Sequence, residues 1–92
     1  MISIVAKFIV TEGEELNFLT KIDGLIKASQ AEEGCIEYLL HKDSQKPLTY
    51  CLIEKWKDQE AVDIHNNTPH FTTTVPTLVE LAKIEVDVYT AL

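Results

Sequence analysis

Cys35-Ile36-Glu37-Tyr38-Leu39-Leu40-His41-Lys42 and Leu48-Thr49-Tyr50-Cys51-Leu52-Ile53-Glu54-Lys55-Trp56 flank a polar loop, Asp43-Ser44-Gln45-Lys46-Pro47. Both runs are rich in aromatic and aliphatic residues, and the loop carries turn formers, so the stretch reads as two strands of a β-hairpin. With a symmetric loop, paired residue numbers sum to about 90, which sets Leu39 against Cys51 and Cys35 against Lys55. The two cysteines then stand four residues apart along the sheet, roughly 13 Å. A disulfide needs Cα atoms within about 7 Å, so two free thiols are expected. In the first run Cys35 and Leu39 oppose Ile36, Tyr38 and Leu40; in the second Cys51 and Ile53 oppose Leu48, Tyr50, Leu52 and Trp56. Both faces are apolar. Helices can cover one, and an uncovered apolar sheet face is normally a partner surface, so a homodimer packed sheet to sheet is expected.

Working outward, Ile2–Val10 alternates with period 2 and reads as the first strand. Thr11-Glu12-Gly13-Glu14 looks like a capping box, with Thr11 as N-cap. A helix carrying Leu16, Leu19, Ile22, Leu25, Ile26 and Ser29 follows. Gly24 weakens its middle, and Gly34 fits the C′ position that ends it. After the hairpin, Asp58 can cap a short helix carrying Ala61, Val62, Ile64 and His65. Asn66-Asn67 interrupts it, and Thr68-Pro69 restarts it with Pro at N1. The second piece carries Phe71, Val75, Leu78, Val79 and Leu81, and Pro76 is expected to kink or shorten it. Lys83–Ala91 alternates again and makes the fourth strand. The order is βαββαβ, the ferredoxin-like α+β pattern, with both helical segments on one face of an antiparallel sheet. Residues 1–92 suit a single domain.

Composition narrows the function. The 92 residues carry a net charge of −7, and all eight cations are Lys. With no Arg and an acidic balance, nucleic acid and anionic membrane surfaces are poor partners. No run approaches the roughly 20 apolar residues of a membrane span. The first apolar stretch has no basic segment before it and is interrupted by Lys7, so no secretory signal is expected. Two cysteines in such a chain suit a reducing cytoplasm. The three glycines are scattered, so there is no dinucleotide or phosphate-loop fingerprint, and no nucleophile-elbow motif occurs. His65 and His70 are five apart, a spacing that does not set both on one helix face, so no metal signature stands out. The expectation is therefore no cofactor and no metal.

The residues left to carry chemistry cluster where the third strand meets the broken helix: Trp56, His65, His70, Tyr38, Tyr50 and Glu54. His65 reads either as a general base near neutral pH or as a surface histidine stabilised by a helix C-terminus. His70, in a first helical turn, reads as a capping or solvated residue. Trp56 reads as a core anchor that can also stack on an aromatic ligand. Tyr38 and Tyr50 are packing residues whose hydroxyls need partners. Glu54 alternates with apolar neighbours; if buried, it must be paired or protonated. His41 sits by the hairpin loop and is expected in solvent.

Three segments together resemble one family. Glu33-Gly34-Cys35-Ile36-Glu37-Tyr38 resembles a strand opening of the form E-x-G-C-x-x-Y. Glu54-Lys55-Trp56-Lys57-Asp58 followed by Glu60-Ala61 resembles E-x-W-x-[DS]-x-E-A. His65-Asn66-Asn67-Thr68-Pro69-His70-Phe71 resembles H-x-x-[ST]-x-H-[FL]. In this order the chain is similar to the antibiotic biosynthesis monooxygenase (ABM) domain family, quinol monooxygenase-like proteins included. The resemblance implies a dimeric α+β barrel. It also implies a cofactor-independent monooxygenase that helps deprotonate a small phenolic or quinol substrate, whose anion then reacts with O2. It places Trp56, His65 and His70 at matching site positions, with Phe71 beside them and Tyr38 and Glu54 in the strand motifs. Some members stabilise the oxyanion with an Arg; here a Lys or a His has to serve. The family's isomerase branch gives an alternative, a proton shuttle on a small sugar-like metabolite. A dimer that binds a small ligand without chemistry is the other alternative. Haem-degrading relatives rank third, since their strand-one Asn has no match among Ser3, Val5 and Lys7 and no Arg is present for haem propionates.

Overall fold

A computed structural model describes all 92 residues, Met1–Leu92. The elements are β1 (Ile2–Val10), α1 (Glu15–Gln30), β2 (Cys35–Lys42), β3 (Thr49–Trp56), α2 (Gln59–Asn66), α3 (Pro69–Leu81) and β4 (Ala82–Thr90). The four strands form one sheet in the order β2-β3-β1-β4, with every neighbouring pair antiparallel. This is the ferredoxin-like α+β architecture expected from the sequence.

The period-2 pattern of β1 sends Ile2, Ile4, Ala6, Phe8 and Val10 into the core. Tyr38 of β2 and Tyr50, Leu52, Glu54 and Trp56 of β3 lie on the same sheet face and are buried with them. From α1, Phe18, Ile22 and Leu25 close the other side. Asp58 caps α2 by accepting from Ala61 N at 2.9 Å, and Thr68 caps α3 by accepting from Phe71 N at 3.3 Å, with Pro69 at the helix start.

Local structure departs from the sequence pattern at several points. The capping box does not form. Thr11 O accepts the Glu14 N–H at 2.9 Å in a turn through Gly13 (φ +88°), so α1 starts later, at Glu15. The buried face of α1 runs through Phe18, Ile22, Leu25 and Ser29, and Leu16, about 120° around the helix from Ile22, is exposed. Gly34 does not end α1 in a left-handed C′ turn, since the C-cap is Ala31 in a right-handed conformation. Gly34 serves close approach instead: a Cβ there would lie 2.3 Å from the Cβ of Ala61 on α2. Leu48 precedes β3 with φ +59° and hands its carbonyl to Val10 N at 2.7 Å. The hairpin pairs Leu39 with Ile53 and His41 with Cys51. A bulge between Cys35 and Glu37 brings Cys35 opposite Trp56, on the core side of the sheet. Finally, α3 is continuous from Pro69 to Leu81 with Pro76 inside it, so the proline does not shorten the helix.

The larger consequence stands: Cys35 and Cys51 are free thiols. Burial pushes both pKa values up. His41 is exposed. No helix is long and apolar enough to cross a membrane.

Candidate active site

Between the inner sheet face and α2–α3 lies a cleft of about 520 Å³, within the range of small-molecule sites. Of its 17 lining residues 13 are hydrophobic; the remainder are Glu54, Gln59, His65 and Asn66. Its mouth lies over β4. Val86 and Val88 continue the inner face beside Ala6 and Ile4, yet both are more than half exposed, because no helix reaches across them.

His65 stands in the last turn of α2 and is 1% exposed. The chain folds tightly around it: its carbonyl accepts from Thr68 N at 3.1 Å and from Thr68 Oγ1 at 2.8 Å, which fixes the α2–α3 corner. The ring packs against Trp56, Phe71 and Tyr38, with centroids at 4.4, 5.1 and 5.5 Å. Its Nδ1 lies 2.6 Å from Glu32 Oε2, and the same oxygen lies 2.9 Å from His70 Nε2. A carboxylate accepts, so it holds the proton on Nδ1 and leaves Nε2 with the lone pair. Nε2 makes no hydrogen bond to the chain. Burial pulls the His65 pKa below its ordinary value, against the opposite pull of Glu32. The ring thus stands in the wall of an apolar cleft with its Nδ1 edge fixed on Glu32.

Glu54 is the second titratable group of the cleft. It stands on β3 between Tyr38 and Ile4 of the adjacent strands and is buried. Trp56 Nε1 donates to its Oε1 at 3.0 Å. Desolvation outweighs that bond and pushes the Glu54 pKa up to about 7, with the Glu32 charge adding to the rise. Burial, with Glu54 nearby, likewise raises the Tyr38 pKa, so Tyr38 stays a neutral phenol.

The site residues read from the sequence divide into two layers. Tyr38, Glu54, His65 and Phe71 line the cleft. Trp56 is fully buried behind Glu54 and His65, positioning both rather than forming a wall. His70 stands behind His65 on Glu32. Tyr50 does not belong to the site: its hydroxyl donates to Glu15, and its ring packs on Phe18 at 5.4 Å. No Lys lines the cleft, so His65 and the Asn66 amide are the groups there that can face an oxyanion.

Glu32 was missed. It sits in the α1–β2 turn beside Glu33, and composition alone does not separate the two. The spacing of the E-x-G motif does, since the Glu two places before Gly34 is Glu32. The absence of a metal pattern in the sequence was a matter of spacing along the chain: His65 and His70 come from different helices and converge on one carboxylate in space.

A ferredoxin-like α+β fold with an internal apolar cleft, a held imidazole and a buried carboxyl defines a small-molecule site. The chain belongs to the antibiotic biosynthesis monooxygenase family, whose family model matches residues 1–77. It is 38% identical over 71 residues to YcnE of Bacillus subtilis (strain 168), a protein named for a conjectured monooxygenase activity; the match covers 77% of this chain and 75% of that one. Among solved structures, one described as an antibiotic biosynthesis monooxygenase superposes with a TM-score of 0.92 at 28% identity, covering 100% of this chain and 99% of that one. A conserved protein from Methanosarcina mazei Go1 gives a TM-score of 0.92 at 31% identity, covering 96% and 89%.

Proposed function

We propose that the protein is a cofactor-independent monooxygenase that oxidises a small phenolic or quinol-type aromatic with O2. The observation carrying this reading is the pairing of His65, held by Glu32, with Glu54 on an otherwise apolar cleft. Apolar walls suit an aromatic ring, whereas a phosphorylated or sugar-like ligand finds no cation and few polar partners there.

In the proposed reaction His65 Nε2 takes the proton of the substrate hydroxyl. The imidazolium that forms stays beside the substrate anion and is stabilised in turn by Glu32. The electron-rich anion transfers an electron to O2, and the resulting radical pair joins through a ring C–O bond to give a peroxide anion. Glu54, protonated for much of the neutral range, supplies a proton and yields the hydroperoxide. Loss of the remaining C–H proton to the Glu54 carboxylate breaks the O–O bond. One oxygen stays as a carbonyl, and the other leaves as hydroxide, which takes the proton of the His65 imidazolium to become water and returns both residues to their starting forms. O2 is the oxidant, and the ring carbon is oxidised.

The reading includes a homodimer through the outer sheet face. Val5, Leu39, Cys51 and Ile53 share that face and are flanked by Lys7, Lys55, Glu85 and Asp87, a mixture that a two-fold interface can pair with itself. The test of function is O2 uptake by the purified protein against a panel of quinols, naphthalenediols and anthrones. Saturable uptake that falls by about 100-fold or more in His65→Ala supports the proposal. Uptake unchanged by that substitution removes His65 as the base. Substrate binding without uptake favours a ligand-binding dimer.

A further inference from the structure

We infer that Glu32, His65 and His70 form a binding site for a borderline divalent transition-metal ion such as Zn²⁺, Co²⁺ or Ni²⁺, placed behind the cleft rather than in it. One ligand atom from each residue falls in a group whose members all lie within 4.8 Å of one another. Two imidazoles and one carboxylate are the donor set such ions prefer, and the oxygen-poor set disfavours Mg²⁺ and Ca²⁺.

A second observation points the same way. Glu32 Oε1 is buried and has no hydrogen-bond partner, while Oε2 takes both histidines. A buried carboxylate oxygen without a donor is costly, and a cation would satisfy it. The present spacings of 2.6 and 2.9 Å are hydrogen-bond distances. Metal–donor bonds of about 2.0–2.2 Å set donors roughly 3.3 Å apart, so the ligands need to open by less than about 1 Å. His70 is partly exposed at 24% of its side chain, which gives the ion an entry path and a solvent molecule room for a fourth position.

Occupancy has a consequence that rests on the proposed function. Metal on Nδ1 of His65 displaces the proton held there, and a neutral ring then carries its proton on Nε2. Nε2 becomes a donor, and proton abstraction by it stops. Bound metal therefore opposes turnover instead of supporting it.

The test is titration of the purified full chain with Co²⁺, read by visible absorption, and with Zn²⁺, read by calorimetry. One equivalent per chain is expected to bind. His70→Ala and Glu32→Gln are each expected to weaken binding by more than about tenfold, while His41→Ala, at an exposed histidine, leaves it unchanged. Circular dichroism checks folding, and His70→Ala, at a partly exposed position, decides if Glu32→Gln unfolds. No saturable binding up to about 1 mM metal, well short of useful affinity, overturns the inference. So does binding that folded His70→Ala retains in full. Because the readout is the metal itself, failure of the oxygenase reading leaves this test standing.

Discussion

Glu32 Oε2 and His65 Nδ1 lie 2.6 Å apart across 33 residues of sequence. The turn after α1 and the last turn of α2 meet at this contact, and it sets which face of the imidazole carries the lone pair. His65 is almost fully buried, so neither solvent nor rotation of the ring can easily undo the choice.

Replacing Glu32 by Gln removes the charge while keeping the shape. Nε2 no longer holds the lone pair in every molecule, and the imidazolium loses its counter-charge. The expected result is a fall of about 10- to 100-fold in kcat with a smaller change in KM. Nitrogen-15 NMR separates positioning from damage: the native ring shows Nδ1–H alone, and Glu32→Gln shows a mixture of tautomers.

Glu54 gives a pH dependence with a definite sign. Its pKa rises from an ordinary carboxyl value to about 7 on folding. Between about pH 4.5 and 7 the folded chain therefore binds more protons than the unfolded one, and stability falls as pH rises through that window. Glu54→Gln removes the effect. Urea midpoints at pH 5 and pH 8 are expected to differ less in the variant than in the native chain. At pH 8 the variant is expected to be the more stable, by up to about 3 kcal/mol.

Gly34 faces Ala61 too closely for any side chain. Gly34→Ala is expected to cost about 1–3 kcal/mol through overpacking. Adding Ala61→Gly should return part of that loss, although glycine inside α2 costs about 1 kcal/mol of its own. A double-mutant cycle in urea measures the coupling; simple additivity would mean that the two positions do not touch.

The outer sheet face predicts association. Light scattering after size exclusion is expected to give a dimer mass for the native chain. Ile53→Asp, which places an acid between Val5 and Leu39, is expected to shift the mass toward the monomer. A monomeric native chain would remove the interface.

The strands and the order of elements were readable because alternation in Ile2–Val10 and around the 35–56 hairpin is a local signal. The helix caps Asp58 and Thr68 were readable for the same reason. Features that depend on how elements meet were not. Gly34 looks like a helix stop until Ala61 is set beside it. The bulge that turns Cys35 inward has no local marker, and Leu16 looks like a core residue until the face that α1 turns to the sheet is known to run through Phe18 and Ile22. Tyr50 and Tyr38 are equivalent in pattern, yet register carries one toward Glu15 and the other to His65. Glu32 acts only through its contacts with two helices that begin more than 25 residues later.

The most direct test of the central claim is oxidation under ¹⁸O2 with a substrate that supports uptake, followed by mass spectrometry of the product. One labelled oxygen is expected in each product molecule, with the other released as water, and labelled product is expected to fall in step with activity in His65→Ala. Product that forms enzymatically with no label from O2 would contradict it.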